Sequence, residues 1–320
     1  IMPTSWETGE GFVSFREWLF SSTRVRLIVN LPYNVFQAAY IDTCVALAAN
    51  SQSQPETFQI AMIPKSAQLS SVLDITQSLQ ACNLSVIASD PQRRVPLDAV
   101  LAQVLQTVAK AQPVPLSTLS RSKRGVEAYQ YSVLDMQTSP NTRAYFTGNV
   151  YRYLTIDGAD KFLDVGSRTT QIWKGSRILL RRIVSRSNRL MADLAEKPFI
   201  VKKDLYVISP KTDLDIRVLL ALLNSSLMSY LYLARSASAT KDDFRQITLT
   251  GVRQLPIVVP PEHVRDQLCS LVDQVKKAAQ DQLEDMFNEL DREIDEIVFG
   301  FYGIRDLHRA RIRNWLDQPG

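Results

Sequence analysis

The chain has 320 residues, a length that predicts about two domains. Hydrophobic residues make up 45% of it and charged residues 22%, with a net charge of +4, which excludes a disordered chain and favours folded cores. Its three cysteines, Cys44, Cys82 and Cys269, lie far apart, so they form neither a zinc-site spacing nor an even disulfide set. This cysteine usage is typical of a reducing cytoplasm.

Residues 1–64 contain the pattern of one helix and three strands. Ser14 and Glu17 have the spacing of a capping box, which predicts a short helix through Phe20. Apolar runs of strand length follow at 25–29, 41–48 and 58–63. One helix and three strands are too few for an independent doubly wound sheet, so we expect the last strands of a larger one.

The remaining chain divides into three predicted segments. Residues 65–112 carry apolar residues at helical spacing and are predicted to form a helical linker. Residues 113–260 show a mixed α+β pattern, and residues 261–320 show the apolar stripes of C-terminal helices. The strands of the mixed segment are expected at 150–155, 177–184, 199–208 and 257–259.

Three patterns that could indicate other functions have simpler interpretations. The apolar run at 218–233 is too short for a membrane span and contains Asn224 and several serines, so it predicts a buried helix. His263 and His308 have no partner at ligand spacing, so we expect no metal site. A run of acids is expected on a solvated helix face rather than in a nuclease site. Its members are Asp281, Glu284, Asp285, Glu289, Asp291, Glu293 and Asp295.

The stretch Asn30, Leu31, Pro32, Tyr33 resembles the Asn-Pro-Pro-Tyr signature of amino-methylating DNA methyltransferases. In that signature the Asn side chain and a Pro carbonyl accept hydrogen bonds from the target amine, and the aromatic ring stacks on the flipped base. Leu31 replaces the first Pro, and the Gly9-Glu10-Gly11 stretch upstream follows no strand, as a methyl-donor site would require. We therefore expect a structural loop here and no catalytic residue in this chain.

Positive charge is concentrated in the middle of the chain. Residues 121–190 hold 13 Lys and Arg against 5 Asp and Glu, whereas residues 262–299 hold 11 acids against 4 bases. Cations bind phosphates, and Arg, Asn or Gln read base edges, so the basic segment predicts a surface for duplex DNA. The candidate residues are Lys123, Arg124, Arg143, Arg152, Arg168, Lys174, Arg177, Arg181, Arg182, Arg186, Asn188 and Arg189.

Two local arguments refine that set. Arg181 and Arg182 are neighbours in a predicted strand and point to opposite faces, so only one is expected to face DNA and the other to form a structural ion pair. Gly125, which follows Lys123 and Arg124, would let the backbone approach a phosphate closely.

Short motifs follow one another along most of the chain, apart from 65–112. They are FREWL at 15–19, NLPYNVF at 30–36, DTC at 42–44, KRGV at 123–126, YRY at 151–153, ILLRR at 178–182, ALLNS at 221–225, LPI at 255–257 and FYGI at 301–304. In order and spacing they resemble the segment after the catalytic loop of DNA adenine methyltransferases, followed by the target-recognition region of type IIG restriction-modification enzymes.

The resemblance implies a bilobal enzyme, in which one lobe binds S-adenosylmethionine and methylates adenine while the other grips duplex DNA and selects the sequence. This chain is similar to the second lobe and would be inactive alone, with the cofactor bound by a methyltransferase lobe or subunit outside it. The implied fold is mixed α/β: last strands of a Rossmann-like methyltransferase sheet in 1–64, a helical linker in 65–112, a target-recognition domain in 113–260, and helices in 261–320. The alternatives are a helical protein–protein interaction subunit, or a complete S-adenosylmethionine-dependent methyltransferase that uses Asn30 and Tyr33.

Overall fold

The computed structural model describes residues 1–32, 35, 41–51, 55–63, 72–96, 99–156, 158, 161–165, 174–184, 188–236 and 245–317. Within it the chain forms two compact units, Ile1–Lys110 with Leu233–Thr240, and Ala111–Tyr232 with Lys241–Gly320. Both units mix helices and strands, and the second ends in long helices. The expected mixed α/β fold with a C-terminal helical segment is therefore confirmed.

The first unit contains short helices around one sheet. In chain order its elements are β1 (Met2–Pro3), α1 (Ser5–Thr8), a 3-10 turn (Glu10–Phe12), α2 (Val13–Ser22), β2 (Arg24–Asn30), β3 (Thr43–Ala49), β4 (Thr57–Met62), α3 (Val72–Ser78), β5 (Gln80–Asn83), α4 (Leu84–Ser89) and α5 (Ala99–Lys110). The sheet order is β1-β3-β2-β4-β5. β2 runs parallel to β4 and antiparallel to β3. The core of the unit includes Val25 and Ile28 of β2 and Phe58 of β4.

Sequence patterns located three of the five strands that the structure describes in this unit, β2, β3 and β4, but not all of its details. The helix expected after the capping box is present, yet it begins at Val13, and Ser14 makes no capping hydrogen bond. The segment 65–112 was expected to be helical throughout, which is wrong at β5. Its four residues pair with β4 in antiparallel register because the apolar spacing around them is too short to define a helix face.

The second unit contains more strands than the sequence predicted. They are β6 (Val114–Pro115), β7 (Ser120–Arg124), β8 (Ser132–Leu134), β9 (Thr142–Phe146), β10 (Asn149–Tyr151), β11 (Leu154–Ile156), β12 (Lys161–Asp164), β13 (Arg177–Arg181), β14 (Ala192–Ala195), β15 (Ile200–Val201), β16 (Leu205–Pro210) and β17 (Pro256–Ile257). The strand expected at 150–155 is a hairpin of β10 and β11, since Tyr153 adopts a left-handed turn conformation with φ of 61°.

The helices of the second unit follow the same chain order. They are α6 (Leu116–Leu119), a 3-10 turn (Ala128–Gln130), α7 (Ile216–Asn224), α8 (Ser226–Leu233, whose last residue joins the first unit), α9 (Leu249–Arg253), α10 (Glu262–Gln280), α11 (Glu284–Phe301) and α12 (Asp306–Asp317). None of the described helices is by itself long and apolar enough to cross a membrane. Only the pair α7 and α8, bent by 60° at Ser225, passes that test by length and composition.

Two four-stranded sheets form the framework of the second unit. Their orders are β14-β13-β16-β7 and β15-β9-β12-β8. One face of the first sheet, with Leu179 and Val207, packs on Phe146 and Leu163 of the second. α7 contacts β13 and β14. Within the first sheet β13 is therefore a central strand and β7 is an edge strand, a difference that decides where their cations point.

Candidate nucleic-acid interface

Arg177, one of the expected DNA contacts, is fully buried at the start of β13. Its Nη1 donates to the carbonyl oxygen of Gly175 at 2.9 Å and its Nη2 to that of Lys197 at 2.6 Å, with longer bonds to two further carbonyls. The guanidinium also lies 4.6 Å from the ring centre of Phe199, and burial lowers its pKa to about 10. Arg177 therefore fastens the 195–199 turn to β13 and has no open side for a phosphate.

Arg152 and Arg189, two more of the expected contacts, form a buried ion cluster with Asp291 and Asp295 of α11. Arg152 pairs with Asp291, and Nη2 of Arg189 lies 3.7 Å from Asp291 Oδ2 and 3.8 Å from Asp295 Oδ2. All four side chains are at most 15% exposed. Because buried charges are stable only when paired, these cations hold the C-terminal helices to the sheet rather than facing DNA.

The two acids of this cluster correct the expected solvated face of α11. Glu284, Asp285, Glu289 and Glu293 are exposed, but Asp291 and Asp295 are buried. Burial raises the pKa of Asp295, whereas for Asp291 the neighbouring Arg152 and Arg189 outweigh burial and lower the pKa. Asp295 also accepts hydrogen bonds from the backbone N–H of Ser226, at 2.6 Å, and from its hydroxyl, at the start of α8. The acids at these two positions are structural anchors.

Asn188 has a structural place as well. It adopts a left-handed conformation with φ of 48° and is 6% exposed. Its Oδ1 accepts a hydrogen bond from Arg245 at 2.6 Å, and its Nδ2 donates to the carbonyl oxygen of Leu316 at 3.2 Å. An amide with both ends occupied inside the protein cannot also pair with a base edge.

Arg181 and Arg182 contact different partners, as neighbours along a strand should. The guanidinium of Arg181 lies 6.0 Å from the ring centre of Tyr151. Arg182 donates to the side chain of Gln246, and its Nη1 lies 3.9 Å from Asp204 Oδ1. Both side chains remain half-exposed, so they are at the margin of any surface that DNA could reach.

The other candidates divide between exposed and undescribed positions. Arg143 is half-buried and donates to the carbonyl oxygens of Pro140, just before its strand, and of Thr142, the first residue of that strand. Lys174 is exposed. Arg168 and Arg186 lie outside the described residues.

Lys123 and Arg124 are exposed on β7, and the structure places further cations beside them. Arg253 of α9 donates from Nε to the hydroxyl of Ser122 at 2.9 Å and from Nη2 to its carbonyl at 2.7 Å. Nε of Arg124 donates to the carbonyl of Lys203 at 3.1 Å. We call this surface the cationic edge; its members are Arg121, Lys123, Arg124, Lys202, Lys203, Lys211 and Arg253. All are exposed except the half-buried Lys202.

The turn between β15 and β16 brings two of these lysines to the edge strand. Val126 forms an isolated parallel bridge with Lys202, and Gly125 donates its N–H to the carbonyl oxygen of Leu205 at 2.9 Å. A side chain at Gly125 would collide with the carbonyl oxygen of Lys202. The expected reason for this glycine, close approach to a phosphate, is thus replaced by close approach to the protein's own backbone.

The sequence interpretation did not select five members of the cationic edge, four of which lie far along the chain from Lys123 and Arg124. Arg121 stands two residues before Lys123, and Lys202 and Lys203 form a basic doublet before Asp204. That doublet was a usable signal, since two lysines and an aspartate between two apolar runs are typical of an exposed turn. Lys211 and Arg253 carry no such signal: Lys211 follows β16, which pairs with β7, and Arg253 of α9 reaches β7 through its hydrogen bonds to Ser122.

Asn30, the first residue of the methyltransferase-like stretch, is engaged in the first unit. Its Nδ2 donates to Oε2 of Glu7 at 3.0 Å. Glu7 is 1% exposed, and burial raises its pKa to about 7, against smaller opposing effects of hydrogen bonds from Asn30 and Cys44. Asn30 therefore joins the end of β2 to Glu7 of α1. Tyr33 lies outside the described residues.

The glycine pair upstream does not fit a methyl-donor site. Gly9 follows α1 rather than a strand, and a side chain there would meet the Ser5 carbonyl oxygen at 2.5 Å. Its own carbonyl accepts a hydrogen bond from Arg16 at 2.8 Å. The pair thus shapes the turn between α1 and α2, and its backbone is already occupied by protein partners.

The part of the chain that the structure describes offers few other candidates for a metal site or a ligand-binding cavity. No group of three or more His, Cys, Asp or Glu residues there could hold a metal ion. A cavity of about 770 Å³ in the second unit is bordered by Asp193 and Asp273. These acids pair with Lys276 and Arg217 respectively, so the cavity presents no unpaired charge from them.

Comparison with known proteins agrees with this geometry. Residues 143–257 match the family described as the TaqI-like C-terminal specificity domain. A protein of Methanocaldococcus jannaschii named as a type II restriction enzyme and methyltransferase is 32% identical over 320 aligned residues, which cover 94% of this chain and 27% of the relative. The chain thus spans about a quarter of the length of that curated relative. The resemblance to restriction-modification enzymes is confirmed, and residues 143–257 are similar to the TaqI-like C-terminal specificity domain.

A solved structure shares the fold over almost the whole chain. It is that of the type IIL restriction-modification enzyme MmeI in complex with DNA, with a TM-score of 0.58 and 11% sequence identity. The alignment covers 99% of this chain and 48% of that chain. At this identity the likeness is one of fold alone.

Proposed function

We propose that the second unit binds duplex DNA through the cationic edge and selects the target sequence of a restriction-modification methyltransferase. The observation that carries the proposal is the cationic edge on a unit that matches a specificity-domain family at 143–257. Four of the seven cations, Lys202, Lys203, Lys211 and Arg253, lie within the match, and the other three lie before it on β7. Phosphates need cations that are accessible and close together, and the cationic edge is the place in the described chain that supplies them. The relative's name, restriction enzyme and methyltransferase, supports the same reaction context.

The finer parts of the proposal concern the missing chemistry. We assign the methylated base to adenine because the sequence motifs resemble those of adenine methyltransferases. S-adenosylmethionine is assigned to a methyltransferase lobe outside this chain, which agrees with a glycine pair, Gly9 and Gly11, that does not fit a donor site. We assign the sheet of the first unit to the end of that lobe's Rossmann-like sheet. Its parallel pair β2 and β4 and antiparallel β3 support this assignment.

A salt titration tests the DNA proposal. The affinity of the chain for a fluorescein-labelled mixed-sequence duplex of about 30 base pairs would be measured by anisotropy across a range of salt concentrations. The triple variant Arg121→Ala, Lys123→Ala, Arg124→Ala should bind more weakly. For DNA binding the slope of log K against log salt is negative. If each of the three cations contacts one phosphate, that slope should become less steep by roughly 3, at about 0.9 per phosphate.

The matched control removes the same charge from another surface of the same unit. Arg292, Arg305 and Arg311 are exposed on α11, between α11 and α12, and on α12. Their triple alanine variant should keep the wild-type slope. Equal losses in both variants would show that only net charge matters and would remove the cationic edge from the proposal. Salt-insensitive binding by the wild type would contradict the proposal that this unit binds DNA through phosphate contacts.

Unlabelled S-adenosylmethionine provides a second test. We expect calorimetric titration of the chain with the cofactor to show no saturable binding, because the proposed donor site belongs to the other lobe. Tight 1:1 binding would instead favour a complete methyltransferase with Asn30 in its active site.

A further inference from the structure

Tyr129 is the most exposed of the large apolar side chains that the structure describes, at 82%. It stands at the centre of the 3-10 turn Ala128–Gln130, directly after β7 and Glu127. Residues three apart in such a turn lie on the same side. Ala128 and Tyr131 pack against the core between the two sheets, which directs Tyr129 to the opposite side, into solvent.

The turn is held in place before any partner arrives. The N–H of Gln130 donates to the carbonyl oxygen of Glu127 at 3.1 Å, and the N–H of Tyr131 to that of Ala128 at 3.0 Å. A tyrosine has only two side-chain torsions, so a ring on a fixed turn loses little entropy when a partner covers it. The exposed ring is therefore presented on a preformed support.

Tyr129 is also adjacent to the cationic edge. The carboxylate of Glu127, two residues before it, lies 3.2 Å from Nη2 of Arg124 and 3.3 Å from Nζ of Lys203. An exposed aromatic ring beside clustered cations suits a partner that offers negative charge and apolar edges side by side. Duplex DNA offers both, as phosphates and as the edges of bases and sugars along the grooves.

We propose that Tyr129 enters a groove of the duplex and packs its ring against bases, while the cationic edge contacts the phosphates. The proposal rests on the proposed function and adds a residue to it that contributes affinity without charge.

Affinity and salt dependence separate this role from a phosphate contact. Tyr129→Ala should bind the mixed-sequence duplex about ten-fold or more weakly, the range expected for truncating a tyrosine that is buried at an interface. Its slope of log K against log salt should equal that of the wild type, because no cation is removed. Tyr129→Phe keeps the ring and should bind within about two-fold of the wild type, and thermal melting should show all variants folded.

Leu307→Ala is the matched control. Leu307 is 61% exposed on α12, so its removal deletes a comparable apolar surface elsewhere in the unit. Its affinity should be that of the wild type. Equal, small effects of the Tyr129 and Leu307 substitutions would overturn the proposal while leaving DNA binding by the cationic edge intact. Absence of any duplex binding by the wild type would overturn both proposals.

Photocrosslinking locates the contact directly. A duplex containing 5-iododeoxyuridine, irradiated in complex with the wild-type chain, should crosslink to the tryptic segment 125–143. The crosslink should be lost in Tyr129→Ala at a protein concentration that still saturates the DNA. A crosslink that persists in that variant, or one that falls only on other segments, contradicts the placement of Tyr129 against bases.

Discussion

Two arginine-rich stretches of the second unit look alike in sequence and have opposite places in the structure. The stretch 177–189 supplies Arg177 and Arg189, which are satisfied by carbonyls or carboxylates inside the protein. The stretch 120–124 supplies Arg121, Lys123 and Arg124, which are exposed. Density of positive charge along a sequence therefore does not identify the cations that can reach DNA.

The position of each strand in its sheet explains the difference. β13 lies between β14 and β16, and both of its faces are covered, so its burial is almost complete. A cation on such a strand must find its partners within the protein. β7 is an edge strand, where charged side chains are favoured because they block pairing with another chain. The same charges remain available to an anionic partner.

The largest effect is expected from breaking the buried ion cluster. Asp291→Ala leaves Arg152 and Arg189 without their shared partner, and loss of one side of a buried pair destabilises by about 3–5 kcal/mol. Urea unfolding followed by circular dichroism, with hydrogen exchange in α11, would measure it. Arg292→Ala on the exposed side of the same helix is the control and should change stability by less than about 0.5 kcal/mol. Equal losses of stability in the two variants would mean that Arg152 and Arg189 are exposed to solvent rather than buried with Asp291.

Glu7 is the opposite case to the buried arginines, a buried carboxyl whose described hydrogen-bond partners, Asn30 and Cys44, are uncharged. The pKa of Glu7 is raised by burial from 4.5 to about 7, so the folded first unit favours the protonated form. Its stability contribution is complete below about pH 4.5 and is lost as pH rises toward 7, a change of about 3 kcal/mol. Hydrogen exchange of the first unit should therefore show that the stability of Glu7→Gln increases relative to that of the wild type as pH rises over this interval. A pH-independent difference between the two proteins would contradict the assignment.

Arg177→Lys tests whether geometry or charge matters at the central strand. Lysine keeps the charge but cannot reproduce the planar fork that serves the carbonyls of Gly175 and Lys197. We expect a loss of about 2 kcal/mol in the free energy of unfolding, the cost of leaving buried acceptors unpaired. Unchanged stability would contradict the structural role assigned to this guanidinium.

Sequence patterns predicted the mixed fold, the strands β2 to β4, and a buried helix at 218–233, since these depend on local apolar spacing. The structure breaks that helix at Ser225 into α7 and α8. The patterns did not predict β5, β7 or β14, strands of four or five residues that are too short to show a clear alternation. For the site, local reasoning selected Lys123, Arg124 and Arg152 together and could not separate the exposed cations from the buried one. That separation depends on Asp291, which is distant in sequence and whose helical spacing suggested a solvated face.

Lys123→Ala should give the smallest change in stability and the clearest change in binding. Lys123 is exposed on the edge strand, so its removal should alter the free energy of unfolding by less than about 0.5 kcal/mol. If it contacts one phosphate, the negative slope of log K against log salt should become less steep by about 0.9. Asp291→Ala should show the reverse pattern in any protein that remains folded, a large loss of stability with an unchanged slope. A cation that served both purposes would lower both quantities together, and the division between buried and edge cations would then be one of degree.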